Sequence, residues 1–305
     1  MKLHYHFELN PEKRENNPQL VIVGIDLEWA KNWKAVEKTV PFCFALHVIY
    51  LPEMGYSSDL CINAFKMTAD VLWRGHKEVI TTFLLRIDKL IGTQLNHKNT
   101  VVVGHQISSD LHCMLQHSTE TLSHIKKIAE RFTGRKQRRG KVSSGQLSLL
   151  GSSEYAPRTP GWGDDFSVFD TRYDIQGKIK GQERLRDVSL RSRVYAIQFE
   201  LSPSLSLTKL YNLYLQDQDP GKMERLIIVN WRHAFQTALV YLTNQVCPSL
   251  KCYSSSCEER ALTTNDIIYK MASGSIAYVE SEDYRYSMSE EGINRYLRLY
   301  KSPLV

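Results

Sequence analysis

The chain has 305 residues, 42% of them hydrophobic and 24% charged, which is enough apolar material for a substantial buried core. No apolar run approaches the roughly 20 residues that span a bilayer, and the first residues lack the apolar core of a signal peptide. Six cysteines at irregular spacing argue against a secreted disulfide framework and against a zinc site built from Cys-x-x-Cys pairs. We therefore expect a cytoplasmic protein without a membrane partner.

Hydrophobic periodicity predicts the secondary structure, because apolar residues alternate along half-buried strands and recur every three or four residues on helices. In chain order, strands are predicted near 20–27, 42–51 and 59–65, then a helix at 77–92, a strand at 100–104 and a helix at 109–117 that continues to about 132. Beyond a strand at 166–170, helices are predicted near 184–196, 206–215 and 223–246, and the tail adds a helix near 264–272, a strand near 275–280 and a helix near 289–301. This order predicts an α/β fold with a mixed sheet flanked by helices on both faces.

The first candidate site lies at the end of the strand predicted near 20–27. Val21–Val23 are apolar and β-branched in part, and Asp26 and Glu28 follow with one residue between them. Since side chains alternate along a strand, both carboxylates point to the same side. Two buried carboxylates repel each other unless a cation lies between them, and hard cations such as Mg²⁺ or Mn²⁺ prefer oxygen ligands. The pattern indicates a metal site, although a strand that merely ends in polar residues would look the same.

A further acidic residue follows the strand at 100–104. The chain turns through Gly104 into a predicted helix, and Asp110 lies near the start of that helix. Asp110 could cap the helix by accepting hydrogen bonds from its N-terminal amides, or it could supply a third metal ligand. The residues alone leave both roles open.

The sequence VGIDLEW followed by VVVGHQISSDLHCML resembles the first two motifs of the DEDD 3′–5′ exonucleases. That superfamily includes ribonuclease D, the Werner-type exonucleases and polymerase proofreading domains. Asp26 and Glu28 match the first motif, and residues 104–110 match the second, in which Gln106 stands where Asn is usual. The resemblance implies a ribonuclease H-like fold for residues 1–246, with 247–305 as a C-terminal α+β extension of unknown role that could bind a protein partner.

The third motif of the family, a fourth Asp on a late helix preceded by His or Tyr, is degenerate here. Its best match is 230–242, where the apolar frame places Thr237 or Ala238 at the Asp position and His233 near the His or Tyr position. Neither Thr237 nor Ala238 can supply a carboxylate.

Three explanations for the missing carboxylate remain open. The natural protein could bind nucleic acid without cutting it, or the chain could carry an engineered Asp-to-Ala or Asp-to-Thr change. Another acid could also substitute, and the candidates are Asp170, Asp174 and Asp266. However, Asp170 with the following Thr resembles a strand-end pair that many family members carry outside the metal shell.

The resemblance implies hydrolysis of phosphodiester bonds with two Mg²⁺ or Mn²⁺ ions about 4 Å apart. Asp26 would bridge both ions, Glu28 would bind the ion that carries the attacking water, and Asp110 would contact the second ion. His233 would act as general base, unless it is an ordinary histidine of an amphipathic helix. The substrate would be the 3′ end of single-stranded DNA or RNA, and the enzyme would be weak or inactive as given. The alternative is a non-catalytic nucleic-acid-binding or scaffold subunit that retains the fold.

A basic stretch gives the expected substrate a place to bind. The formal net charge is +6, and a loop insertion expected at about 133–165 begins with a run of cations. The run contains Arg135, Lys136, Arg138, Arg139 and Lys141. Such residues can be solvated surface, but beside nuclease-like motifs they favour phosphate contacts, which gain affinity by releasing counterions.

Overall fold

The computed structural model describes residues 3–9, 18, 20–31, 39–51, 65–97, 99–117, 122–140, 166–175, 184–185, 188, 207–246 and 278–279. The strands are β1 (Leu3–Leu9), β2 (Leu20–Lys31), β3 (Thr39–Leu51), β4 (Lys66–Trp73), β5 (Thr100–Gly104), β6 (Phe166–Asp170) and β7 (Tyr278–Val279). The helices are α1 (Ile80–Leu95), α2 (Ile107–Gln116), α3 (Ser123–Gly140), α4 (Leu207–Asp217) and α5 (Pro220–Tyr241), and a π-helical turn (Leu242–Val246) extends α5. None of the described helices is both long enough and apolar enough to cross a lipid bilayer.

Within the described residues, the strands form one mixed sheet in the order β6-β5-β2-β3-β4-β1-β7. β2, β5 and β6 are parallel, whereas β2, β3, β4, β1 and β7 pair antiparallel in turn. The central strands are apolar on both faces, as Val21–Val23 and Val101–Val103 are almost fully buried. The predicted α/β class with a mixed sheet is therefore confirmed.

Helices cover both faces of the sheet, and the alternation of side chains decides which residues meet which helices. In β4, Met67, Ala69, Val71 and Trp73 pack with residues of α4 and α5. Leu72, which points to the other face, packs with residues of α1, α2 and α3. Two apolar cores result, one on each side of the sheet.

Helix α5 lies directly against β2, and Gly24 makes this approach possible. A Cβ atom on Gly24 would lie 2.2 Å from the carbonyl oxygen of Ala234 and 2.9 Å from the Cβ atom of Ala238. The helix begins at Pro220 behind Asp219, whose side chain accepts a hydrogen bond from the N–H of Gly221. This close contact fixes which residues of α5 lie beside the polar end of β2.

On the opposite face, a carboxylate and two histidines join β1 to β4. The Oδ1 atom of Asp70 lies 2.7 Å from Nε2 of His4 and 2.8 Å from Nδ1 of His6. Asp70 is almost fully buried, while each histidine side chain is about one third exposed. We call His4, His6 and Asp70 the edge cluster.

Several predicted elements are confirmed. The strands at 100–104 and 166–170 have the predicted bounds. The strand predicted at 59–65 lies, except for Phe65, outside the described residues. β4 was not predicted, because Asp70 breaks the apolar pattern of Lys66–Trp73 and is buried through its histidine partners. β1 was not predicted, because polar residues interrupt the apolar pattern of Leu3–Leu9. Its pairing with β4 is seen only in the folded sheet.

The basic run belongs to a helix and not to the start of a loop. α3 continues to Gly140, so the backbone of Arg135, Lys136, Arg138 and Arg139 is helical, and the loop predicted to begin at about 133 is wrong there. Arg, Lys and Gln have good helix propensity, which extends α3 through this run. Lys141 and the rest of the expected insertion up to 165 lie outside the described residues. Of the C-terminal extension 247–305, the structure describes Tyr278 and Val279, which pair with β1.

Candidate functional site

The two acidic residues of the first motif lie where β2 extends beyond its parallel neighbour. Pairing of β2 with β5 ends at Gly24, whereas pairing with β3 continues to Lys31. Asp26 and Glu28 occupy this extension on the face that α5 covers. Their side chains are 14% and 15% exposed, so both carboxylates are mostly withdrawn from water while remaining open to a small ligand.

Helix α5 supplies two polar side chains to these carboxylates. Nδ1 of His233 lies 3.1 Å from Oε1 of Glu28 and 3.4 Å from Oδ2 of Asp26. Nδ2 of Asn230 donates to Oδ2 of Asp26 at 2.7 Å and lies 3.3 Å from the carbonyl oxygen of the same residue. Asn230 and His233 are three residues apart on the helix and therefore share one face. That spacing was the signal in the sequence that could have identified Asn230 as part of the site.

Asp110 approaches the same carboxylates from helix α2. Its carboxylate accepts a hydrogen bond from the backbone N–H of Leu27, which lies between Asp26 and Glu28. Burial raises the pKa of Asp110 well above its usual value, and the charges of Asp26, Glu28 and Asp170 raise it further. The side chain is thus a member of the site and not simply a helix cap. We call Asp26, Glu28, Asp110, Asn230 and His233 the acidic cluster.

The cluster holds more negative than positive groups, and the pKa values follow from that excess. Burial raises the pKa of Glu28, and the neighbouring charge of Asp26 adds to this, while the hydrogen bond from His233 opposes it. For His233, burial lowers the pKa, but hydrogen bonds and charges from Asp26 and Glu28 outweigh it and raise the pKa to about 10. In this arrangement the imidazole holds its proton at neutral pH and serves as the positive partner of the carboxylates.

Asp170 and Asp174, two candidates for a substitute ligand, have structural roles. The carboxylate of Asp170 accepts hydrogen bonds from the backbone N–H groups of Gln106, Ile107 and Arg172 at 2.9–3.1 Å. It thereby caps the start of α2 from the end of β6. Oδ2 of Asp174 in turn accepts from the backbone N–H of Asp170 at 2.7 Å. The third candidate, Asp266, lies outside the described residues.

Both positions expected for the fourth carboxylate, Thr237 and Ala238, are buried. Ala238 is fully buried and packs against Gly24, two residues before Asp26. The hydroxyl of Thr237 is buried without a hydrogen-bond partner among the described residues. The partners that α5 offers to the carboxylates in the described structure are His233 and Asn230.

The donor set of the site suits a metal ion. Asp26, Glu28 and His233 each offer one ligand atom, and these three atoms lie within 4.8 Å of one another. Carboxylate oxygens and an imidazole nitrogen are common ligands of divalent metals. A cation at this position would also offset the repulsion among the buried carboxylates.

Comparisons with known proteins did not extend this description. The chain matches no model of a protein family. It also matches none of the curated proteins.

Proposed function

We propose that the protein processes nucleic acid as a metal-dependent 3′–5′ exonuclease of the DEDD type, hydrolysing phosphodiester bonds from a 3′ end. One observation carries this proposal: three carboxylates from two separate elements, β2 and α2, lie close together at the carboxyl-terminal end of β2. Burying like charges together is costly, and active sites are where such arrangements recur. The proposal places the protein in the cytoplasm.

The sheet supports a ribonuclease H-like arrangement. The antiparallel strands β4, β3 and β2 are followed in the sheet by the parallel strands β5 and β6. A ribonuclease H-like sheet has this order, because three initial antiparallel strands are followed by strands that alternate with helices and pair in parallel. Ligands in such sheets bind at strand ends, next to the point where the strand order changes direction, and the acidic cluster lies at such a point.

The proposed chemistry assigns a role to each carboxylate. Mg²⁺ or Mn²⁺, when bound, would activate water and stabilise the leaving 3′ oxygen. Asp26 and Glu28 would help hold one ion, and Asp110 would help hold a second. Asn230 would fix the carboxylate of Asp26 through its 2.7 Å hydrogen bond.

His233 is the candidate for general base. Without a metal, Asp26 and Glu28 raise its pKa to about 10, so it could accept a proton only once a bound cation offsets their charge. The absence of a carboxylate at Thr237 and Ala238 favours a second candidate function, a nucleic-acid-binding or scaffold subunit that does not cut. Under either function, the basic run at the end of α3 would contact the phosphates of single-stranded DNA or RNA.

A nuclease assay separates the two functions. Single strands of DNA and RNA labelled at the 5′ end are incubated with the protein in Mn²⁺, Mg²⁺ or EDTA. We expect slow metal-dependent shortening from the 3′ end, and its loss by more than about a hundredfold in Asp26→Asn, since each 1.36 kcal/mol of transition-state stabilisation is tenfold in rate. Glu130→Gln, an exposed position on α3, is the matched control. Binding of single strands without metal-dependent shortening would favour the scaffold.

A further inference from the structure

We infer that His233 is a metal ligand, and that the acidic cluster binds a first-row transition-metal ion, such as Mn²⁺ or Zn²⁺, in preference to Mg²⁺. The ion would be held by carboxylate oxygens of Asp26 and Glu28 and by Nδ1 of His233. This inference rests on the proposed function because it concerns the same site. It changes the role of His233 and the class of ion that the site selects.

The first support is the distance between the ligand atoms. Nδ1 of His233 lies 3.1 Å from Oε1 of Glu28 and 3.4 Å from Oδ2 of Asp26. Metal–ligand bonds of about 2.0–2.2 Å place the ligand atoms about 3 Å apart around an ion. An ion can therefore replace the proton that His233 shares with the carboxylates after small side-chain rotations.

The second support is independent and comes from Asn230. This residue is fully buried, and its amide nitrogen donates to Asp26. Its amide oxygen is buried without a hydrogen-bond partner among the described residues. An acceptor beside carboxylates needs a positive or hydrogen-donating partner, which a metal ion or a water bound to it would provide.

Access to the site also fits an exchangeable ligand. The side chain of His233 is 34% exposed, so water and ions reach the imidazole from outside. The open side leaves room for the remaining ligands of the ion, which would be water or a phosphate oxygen.

The nitrogen ligand decides the class of metal. Mg²⁺ prefers oxygen ligands and gives up its water reluctantly, whereas imidazole suits first-row transition metals. A site with two carboxylates and one imidazole therefore has no need of the fourth carboxylate that the sequence lacks.

Metal binding to the full chain tests the inference without depending on activity. Titration calorimetry with MnCl₂, ZnCl₂ and MgCl₂ should show binding of Mn²⁺ and Zn²⁺ at least about tenfold tighter than Mg²⁺. His233→Ala should weaken Mn²⁺ and Zn²⁺ by about tenfold or more and leave Mg²⁺ nearly unchanged. His76→Ala, at an exposed position, is the control and should change none of the three affinities. Equal loss for all three metals in His233→Ala would overturn the inference.

A spectroscopic signature and a second variant keep the test decisive if His233→Ala is poorly folded. Pulsed electron paramagnetic resonance of the Mn²⁺-loaded protein should show nitrogen modulation from an imidazole ligand. His233→Asp should lose that modulation and bind Mg²⁺ more tightly than the parent chain does. Modulation that persists in His233→Asp, or that is absent from the parent chain, would overturn the inference.

The outcomes also separate this inference from the proposed function. Selective binding and nitrogen modulation in a chain that never cuts single strands would leave His233 a ligand and refute the nuclease. If His233→Ala cuts single strands with Mg²⁺ at the parent rate and binds Mn²⁺ and Zn²⁺ with unchanged affinity, the nuclease is supported and His233 is not a ligand.

Discussion

Histidine meets carboxylate on both faces of the sheet, but the balance of charge is opposite in the two places. In the edge cluster one carboxylate has two histidine partners, and although burial raises the pKa of Asp70, the hydrogen bonds from His4 and His6 lower it below its usual value. In the acidic cluster three carboxylates share one histidine, and the pKa values of Glu28 and Asp110 are raised. The direction of the shift shows whether a carboxylate has enough positive partners.

The surrounding strands explain why the two clusters differ. Asp70 and His6 are directly opposite each other in the β1–β4 ladder, so the pair is part of ordinary strand pairing. Asp26 and Glu28 lie beyond Gly24, where the pairing of β2 with β5 ends. Among the described residues, no strand pairs with them on the β5 side of β2. The edge cluster is thus complete as a structural element, whereas the acidic cluster still has room for a cation.

The largest effect on stability is expected from placing a carboxylate where the family pattern would have it. Ala238→Asp would bury a charged side chain between α5 and Gly24, and should destabilise the fold by about 4 kcal/mol. Urea denaturation measures the change, and Ala238→Asn separates the effect of charge from that of volume. A stable Ala238→Asp variant with faster metal-dependent cleavage would instead place the fourth carboxylate at 238.

Charge removal should have opposite signs in the two clusters. Asp70→Asn weakens two hydrogen bonds to a charged acceptor and should cost about 2 kcal/mol. Asp110→Asn removes one of three like charges while keeping an acceptor for the N–H of Leu27, and should stabilise the metal-free protein by about 1 kcal/mol. Both free energies of unfolding are measured at pH 7 in EDTA, with Glu130→Gln as the exposed control. Shifts of the same sign would show that the clusters do not differ in charge balance.

The sequence identified three carboxylates of the acidic cluster but not its full membership. Asp26, Glu28 and Asp110 could be found because each follows an apolar strand that specifies its own place in the sheet. Asn230 was missed: its spacing from His233 indicates a shared helix face, but which helix face meets Asp26 depends on how closely α5 packs against Gly24. β4 was not predicted because the burial of Asp70 depends on histidines more than 60 residues away in the chain.

A fourth histidine extends the comparison, because in the described part of the chain it has no carboxylate partner. His47 is fully buried beneath α5, where its Nδ1 accepts a hydrogen bond from Nε1 of Trp231, and burial lowers its pKa from 6.5 to about 3. The folded state thus keeps His47 neutral, whereas the unfolded chain binds a proton below pH 6.5. Stability from this group is complete above pH 6.5 and is lost as the pH falls toward 3.

At pH 5.5, one pH unit below the unfolded pKa of His47, the free energy of unfolding should be about 1.4 kcal/mol lower than at pH 7.5 because of this group. His47→Gln keeps an acceptor for Trp231 but cannot take up the proton. Between pH 7.5 and 5.5, the variant should therefore lose about 1.4 kcal/mol less stability than the parent chain. Thermal denaturation at several pH values measures both proteins. Parallel curves for the parent and the variant would show that His47 is protonated in the folded state.

The smallest effect concerns the turn that carries Asp110 into the acidic cluster. Gln106 has φ 59°, in the left-handed region, and Asn is tolerated there better than Gln because its short side chain bonds locally. Gln106→Asn should therefore stabilise the protein by about 0.5 kcal/mol, even though it gives up the 2.7 Å hydrogen bond from Nε2 of Gln106 to Ser109. Gln106→Ala, which loses that bond and gains no conformational relief, should destabilise it. Urea midpoints ordered Asn, Gln and Ala would show that backbone conformation governs this turn. A midpoint for Asn below that of Gln would show that the bond to Ser109 matters more, and that the usual Asn of the motif is not favoured here by conformation.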